Sequence, residues 1–319
     1  MAMTKGPHPK PALCEVGAIH QGDAYNLIDQ IPDQSVSLIL SSPPYNIGKS
    51  YERGKFKSLK DYSEWMDGLV EKLLLKVKPD GHICWQVGNY VREGALVPLD
   101  YLFFPMFEKR GCFLRNRIIW KYNFGLHAQR RFSGRYETLL WFSRSADYKF
   151  NLDPIRVPQL YPGKRHSKGK GERAGLPSGN PLGKNPSDYW EFDPAAAFDG
   201  RPVWDIPNVK ANHPEKTEHP CQFPNELADR CILAMTSEDD LVLDPFAGAG
   251  TTVVCAEARN RVGIGFELDA SYAKQANQRL LLARQGQLPI RHSGGGPRMP
   301  KPGERVAEVP EEWLLRGRG

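Results

Sequence analysis

Short, wholly apolar runs alternate along this chain with stretches whose apolar positions recur every three or four residues. Runs at 36–40, 82–87, 241–243 and 262–266 are too short for helices and read as buried strands. The helical spacing is clearest after Asp61, where Trp65, Leu69, Leu73 and Leu74 share one face and Asp61 is the expected N-cap. A short helix over 24–30, a largely apolar helix over 96–110 and a helix beginning at Val253 fit the same spacing. Segments 114–122 and 138–142 are rich in aromatic and branched residues and read as paired strands, while Lys78-Pro79-Asp80-Gly81 reads as a turn. Alternation of strand and helix predicts an α/β fold built on a doubly wound, mostly parallel sheet.

The pattern breaks in four places. Residues 1–15 form a basic leader and residues 288–319 a tail rich in Pro, Gly and Arg, within which Trp313 and Leu314 offer a short docking helix. Residues 46–60 are polar and basic, as in a mobile loop. The longest break is 151–205, a loop-rich insert with prolines at 154, 158, 162, 177, 181, 186, 194 and 202. It carries Lys164, Arg165, Lys168, Lys170 and Arg173, with Tyr161, Tyr189 and Trp190 interleaved. Such a segment is either a plain surface insert or a phosphate-contacting region, because clustered cations displace the counterions of a nucleic acid. The domain plan is therefore a leader, 16–150, the insert, 206–287 and the tail.

Composition narrows the class. The 319 residues are 40% hydrophobic, enough for one large core, and carry a net charge of +6, which permits a polyanionic partner without requiring one. No apolar run is long enough to span a membrane and the N-terminus lacks an apolar signal region, so a cytoplasmic location is the default expectation. The six cysteines are scattered without a CxxC pair and are expected to be free, Cys84 and Cys255 packing as small hydrophobes. No histidine and cysteine spacing suggests a metal site.

Two strand ends carry the chemistry. The first apolar run ends in Ser42-Pro43-Pro44-Tyr45. Paired prolines fix φ and remove N–H groups, leaving a rigid turn that presents carbonyls, a hydroxyl and a ring. A planar base can stack on Tyr45 while its amino group donates to Ser42 Oγ and the Pro43 carbonyl; taken alone, the tetrapeptide is equally an ordinary strand-ending turn. The run at 241–243 leads into Asp244-Pro245-Phe246-Ala247-Gly248-Ala249-Gly250-Thr251-Thr252 and then a helix. Strand, glycine-rich turn and helix start make a cofactor loop. The next run ends at Glu267, placed to hold ribose hydroxyls.

These blocks, with Gly22-Asp23, residues 130–144 (RRFSGRYETLLWFSR) and residues 216–224 (KTEHPCQFP), resemble the β group of S-adenosylmethionine-dependent DNA amino-methyltransferases. The resemblance spans residues 22–282, with the proline turn preceding the cofactor loop, the permuted order of that group. It implies a Rossmann-like methyltransferase fold and S-adenosyl-L-methionine as cofactor. It also implies Ser42, Pro43, Pro44 and Tyr45 as the catalytic turn. Cofactor contacts are implied from Asp23, His219, Pro220, Asp244, Phe246, Gly248, Gly250, Thr251 and Glu267, and the insert is implied to be the target-recognition region. Asp23 is also a natural cap for the helix at Ala24. Arg130, Arg131 and Arg135 are candidates for phosphate binding or for bracing the turn, with Glu137 as a structural partner for one of them.

The implied reaction places a methyl group on an exocyclic amino nitrogen of a base extruded from duplex DNA. That nitrogen's lone pair is delocalised, so acceptors on its two N–H groups must localise it. Their grip strengthens as positive charge builds, which is the differential stabilisation catalysis needs. No strong general base is evident, and the proton is expected to leave to water. In that group serine at the head of the turn is usual for cytosine-N4 enzymes, so the resemblance implies cytosine N4, with adenine N6 the nearest alternative. Protein glutamine methylation uses a related turn in the opposite motif order, and a non-catalytic DNA-binding protein would not need the intact set. The family also admits a homodimer and a cognate restriction endonuclease as partners.

Overall fold

The computed structural model describes residues 14–45, 58–122, 127–157, 165–166, 172–176, 178–190, 209, 215–219 and 221–288. Residues 1–13 of the leader, most of the 46–60 loop, residues 289–319 of the tail, Pro220, Lys164, Lys168 and Lys170 lie outside the described residues.

Eight strands form one sheet. They are β1 (Ala18–Gln21), β2 (Val36–Ser41), β3 (Val77–Val87), β6 (Phe113–Lys121), β7 (Tyr136–Ser143), β8 (Tyr189–Trp190), β9 (Leu241–Asp244) and β10 (Val262–Glu267), with β4 (Asn89–Arg92) and β5 (Ala95–Pro98) as a separate hairpin. The order is β1-β10-β9-β2-β3-β7-β6-β8. The strands from β1 to β3 are parallel, and β7 runs against both β3 and β6. The helices are α1 (Ala24–Leu27), α2 (Leu59–Lys76), α3 (Leu99–Glu108), α4 (Asn225–Met235), α5 (Thr251–Ala258) and α6 (Ala270–Arg284).

Strand pleating sorts the core into two faces. Ile39, Ile83, Trp85, Leu140, Phe142 and Leu243 pack with α2 and α3, whereas Leu38, Leu40, Cys84, Leu139, Trp141 and Val242 pack with α4. Successive side chains of one strand thus go to opposite faces, and every residue of β2 is buried. That explains why the central strands read as unbroken apolar runs. Helices α5 and α6 extend the α4 side through Val253, Val254, Ala273, Ala276 and Leu280. The sheet is covered on both sides, as the doubly wound expectation requires.

Three local expectations shift. Ser58, not Asp61, caps α2: its hydroxyl accepts from the Asp61 N–H at 3.0 Å, and Asp61 lies in the first turn. The expected turn at Lys78–Gly81 is an irregularity inside β3. Pairing with β2 jumps from Val36–Val77 to Leu38–His82, so the intervening residues are accommodated as a bulge. The helix expected over 96–110 begins at Leu99, because residues 95–98 pair with β4 instead. Among the described residues no helix is long and apolar enough to cross a membrane. The described cysteines are all free, and Cys84 and Cys255 are buried as expected.

Candidate active site

Strands β9 and β2 are neighbours although their paired positions, such as Ile39 and Leu243, lie far apart along the chain. From β2 the chain proceeds to β3 on one side, and from β9 to β10 on the other. That divergence leaves a crevice beyond the carboxyl ends of the two strands, where ligands of open α/β sheets bind. Side chains stitch the seam: Ser37 Oγ donates to Asp240 at 2.7 Å, Ser41 Oγ to Asp244 at 2.5 Å, and Thr252 Oγ1 to the Leu40 carbonyl at 3.1 Å.

An open cleft lies above this seam, and both sequence motifs line it. Ser42, Pro43, Pro44 and Tyr45 form one wall; Phe246, Gly248, Thr251 and Glu267 face them, with Asp23 and His219 beside the glycine turn. The two motifs predicted from distant parts of the chain therefore share a cavity.

The glycine turn is shaped by close approach. Gly248 has φ +51° and Gly250 φ +77°; a Cβ on Gly248 would lie 3.0 Å from the His219 ring, and one on Gly250 2.9 Å from Ala276 Cβ. Burial and nearby Lys216 push His219 down to about 4, so its ring is neutral near pH 7. Its Nδ1 accepts from the Cys221 N–H at 3.3 Å, and the ring meets Tyr272 edge-on at 4.7 Å. Glu267 accepts from the Gly248 N–H at 2.9 Å and the Asp269 N–H at 2.8 Å, which fixes its carboxylate at the cleft wall; burial raises its pKa. Asp23 caps α1 through the Tyr25 N–H at 2.9 Å, as one reading of it expected, and it also lines the cleft. Thr251 is turned toward support, near the Phe223 carbonyl and Arg279, each at 3.4 Å.

Asp244 lies beneath the turn rather than in the cleft lining. Its Oδ1 accepts from Ser41 Oγ and from the Phe246 N–H at 3.1 Å, and burial raises its pKa to about 6. Thr252 lies close to Asp244 as well as to the Leu40 carbonyl. Its single proton serves one acceptor at a time, leaving Asp244 Oδ2 incompletely satisfied.

The proline turn is held by side chains. Tyr62 Oη donates to the Pro44 carbonyl at 2.7 Å, while none of the described residues donates to the Pro43 carbonyl. Ser42 Oγ contacts Tyr45 Oη at 3.2 Å, and Tyr45 Oη donates to Glu137 at 3.3 Å. A Cβ on Gly88 would lie 3.0 Å from Tyr45 Cε2, so the strand end of β3 supports the ring edge. Glu137, expected to partner an arginine, also receives Gln86 Nε2 at 2.5 Å and Tyr122 Oη at 3.4 Å.

Several of these residues escaped the sequence reading. Trp65, marked only as a core position of its helix, lines the cleft and lies 6.1 Å from Phe246. Arg279 reaches from α6 to the Ala249 carbonyl, bracing the glycine turn. Gln86 and Gly88 carry no motif; their one signal is position, at the end of a buried strand beside that of the proline turn. Of the predicted insert cations, Arg165 and Arg173 are exposed, and Arg165 donates to the Gly175 carbonyl at 2.8 Å. Within the insert, Trp190 pairs beside Trp120 at the sheet edge, and Arg230 lies 4.5 Å over its ring.

The sequence profile of the DNA methylase family of N6/N4 methyltransferases matches residues 36–278. The chain belongs to that family and is a DNA amino-methyltransferase. It is 46% identical over 261 residues to the Type II methyltransferase M.BglII of Bacillus subtilis, covering 82% of this chain and 68% of that protein. It is 31% identical over 286 residues to the DNA adenine methyltransferase YhdJ of Escherichia coli K12, covering 88% of each. The solved cytosine-N4-specific PvuII DNA methyltransferase shares the fold at a TM-score of 0.62 with 21% identity, over 88% of this chain and 95% of that one. A putative DNA modification methylase from Thermus thermophilus, solved with S-adenosyl-L-methionine, aligns at 0.54 with 24% identity, over 84% and 96%.

Proposed function

We propose that this enzyme transfers a methyl group from S-adenosyl-L-methionine to cytosine N4 of a base extruded from duplex DNA. The single observation supporting it most is the shared cleft, in which an amino-binding turn faces a glycine-rich cofactor turn. The residues present fit the cofactor: Gly248 lines the cleft where a Cβ would crowd the His219 ring, and Glu267 offers a fixed carboxylate to ribose hydroxyls. When bound, the sulfonium supplies an activated methyl group. Gly248, Phe246 and the neutral His219 would hold its methionine part, and Asp23 would contact its adenine.

Ser42 Oγ and the Pro43 carbonyl each take one N–H of the target amino group. This localises the nitrogen lone pair and stabilises the positive charge that develops during transfer. Tyr45 stacks on the base, and the cleft holds nucleophile and methyl donor in line. Serine at the head of the turn favours cytosine, as the family resemblance implies. Adenine N6 is the second reading, favoured by the likeness to the adenine enzyme YhdJ. Identifying the methylated nucleoside after reaction with defined oligonucleotides decides between them: N4-methylcytosine is expected, N6-methyladenine sustains the second reading, and no methylated DNA defeats both.

The halves 16–150 and 206–287 form the catalytic domain, and the insert at 151–205 contacts DNA. Replacing Lys164, Arg165 and Lys168 together with alanine is expected to weaken DNA binding and make its salt dependence shallower, by up to roughly 0.9 in log–log slope per lost phosphate contact. An unchanged slope removes those cations from the interface. Names of the Type II relatives support a cognate restriction endonuclease as a partner, and a homodimer is compatible with the family.

A further inference from the structure

We infer that Glu137 is a positioning residue whose carboxylate sets the direction of a hydrogen-bond chain through Tyr45 to Ser42, making Ser42 an acceptor toward the target amino group. The inference rests on the catalytic role proposed for Ser42.

Among the described residues, three hydrogen bonds to Glu137 matter here. Tyr45 Oη and Gln86 Nε2 reach Oε2 at 3.3 and 2.5 Å, and Tyr122 Oη reaches Oε1 at 3.4 Å. An ionised carboxylate only accepts. Tyr45 has one hydroxyl proton, and giving it to Glu137 leaves only lone pairs for Ser42. In the 3.2 Å contact between Ser42 Oγ and Tyr45 Oη, where either atom is competent to donate, Ser42 must then be the donor. Its own proton is committed backward, and its lone pairs face the cleft. A neutral hydroxyl is thereby made to behave as the acceptor that the reaction needs.

Two further observations agree. Burial and the nearby Glu137 charge hold the Tyr45 hydroxyl well above its usual pKa, so the proton required by the chain stays on Tyr45. Gln86 is 3% exposed, and its Oε1 has no partner among the described residues while its Nε2 is spent on Glu137. The carboxylate thus dictates the orientation of this amide as well. The Ser42 and Tyr45 contacts are long for O–H···O bonds. Movements of a few tenths of an ångström shorten them, as apo active sites commonly permit.

Glu137→Gln keeps the shape and reverses the logic. Gln86 then turns its Oε1 inward to accept from the new amide, whose second N–H donates to Tyr45 Oη; Tyr45 in turn donates to Ser42, and Ser42 presents a proton to an amino group that also presents protons. Single-turnover methylation is expected to fall on the order of 10²-fold, the low end for losing one oriented hydrogen bond to a developing charge. S-adenosylmethionine affinity, DNA affinity and thermal stability are expected to stay near wild type. Tyr45→Phe keeps the stacking ring, cuts the chain and is expected to show a comparable loss. In that background Glu137→Gln is expected to add less than about twofold, because double mutants on one chain are non-additive. Near-normal turnover by either single variant overturns the inference, as does a full additional loss in the double variant. Should Glu137→Gln fold poorly, the Tyr45→Phe rate alone decides. If the wild-type enzyme leaves all DNA amino groups unmethylated, the proposed function fails instead, so the two failures are distinguishable.

Discussion

The two turns that wall the cleft reach rigidity by opposite routes. The glycine turn follows β9 and gets its shape from backbone freedom: two left-handed glycines let it pass under His219 and against Ala276. The proline turn follows β2 and has little backbone freedom to begin with. Tyr62 holds the Pro44 carbonyl, and the orientation of the turn's side chains comes from Gly88 and Glu137 elsewhere in the chain. One turn is specified by its own residues, the other by its neighbours. Damage to the first should therefore be abrupt, and damage around the second graded.

The largest expected effect is at Gly248. Valine there must adopt φ +51°, which a branched residue strongly resists, and it places a Cβ 3.0 Å from the His219 ring before its methyl groups are counted. Cofactor binding, measured by calorimetry, is expected to vanish while the sheet stays folded. Retained affinity would show that the turn has slack and would erase the contrast with the proline turn. Next in size is Ser42→Ala. Removing one acceptor from the amino group is expected to reduce turnover by roughly 10²- to 10³-fold, with cofactor affinity unchanged because Ser42 lies on the opposite wall. A parallel loss of cofactor binding would mean that the walls are mechanically coupled.

Gly88→Ala probes the graded side. The added methyl would meet Tyr45 Cε2 at 3.0 Å, and the ring has a few tenths of an ångström to find. A fall in turnover of about threefold to tenfold is expected from this small misplacement of a positioned group, without loss of cofactor binding. An abrupt, complete loss would assign to Gly88 the same strictness as Gly248.

The contrast also explains what could be read from sequence. The glycine turn, its following helix and Glu267 were legible because their constraints are local: strand, small residues, helix start and acid succeed one another within 27 residues of chain, from Leu241 to Glu267. The buried runs of β2, β9 and β10 were legible because parallel strands covered on both faces are apolar at nearly every position. The supports of the proline turn were not. Gln86 and Glu137 are polar positions in strands whose meaning depends on the β3–β7 register that sets Gln86 opposite Leu139 and Val87 opposite Thr138. Glu137 was noticed, but its neighbouring arginines suggested a local partner, whereas its described hydrogen bonds come from three other segments, two of them non-adjacent in the chain. Helix α4 went unread because its apolar face is interrupted by Asn225 and Arg230, both buried for packing reasons that sequence periodicity does not carry.

Beneath both turns lies Asp244, and its titration tests the seam that joins them. Burial raises its folded-state pKa to about 6, against 3.8 for the exposed group. Between those values the native state holds a proton that the unfolded chain has lost, so this group favours folding below about pH 4 and loses that contribution as pH rises through 6. His82 and His219 act the other way. Burial depresses each to about 4 from 6.5, so the unfolded chain holds the extra proton and stability grows as pH rises across the same interval. In the wild type the opposing groups partly cancel. Asp244→Asn keeps an oxygen for the Ser41 hydroxyl and the Phe246 N–H but removes the titration. Denaturant unfolding of the variant at pH 4 to 6 is expected to show stability rising more steeply than wild type, by about 1.4 kcal/mol per pH unit at most, the worth of one proton. Parallel pH profiles would mean that Asp244 is ionised throughout, with Thr252 turned from the Leu40 carbonyl to satisfy it. The seam would then be held by charge rather than by the neutral hydrogen bonds that burial favours.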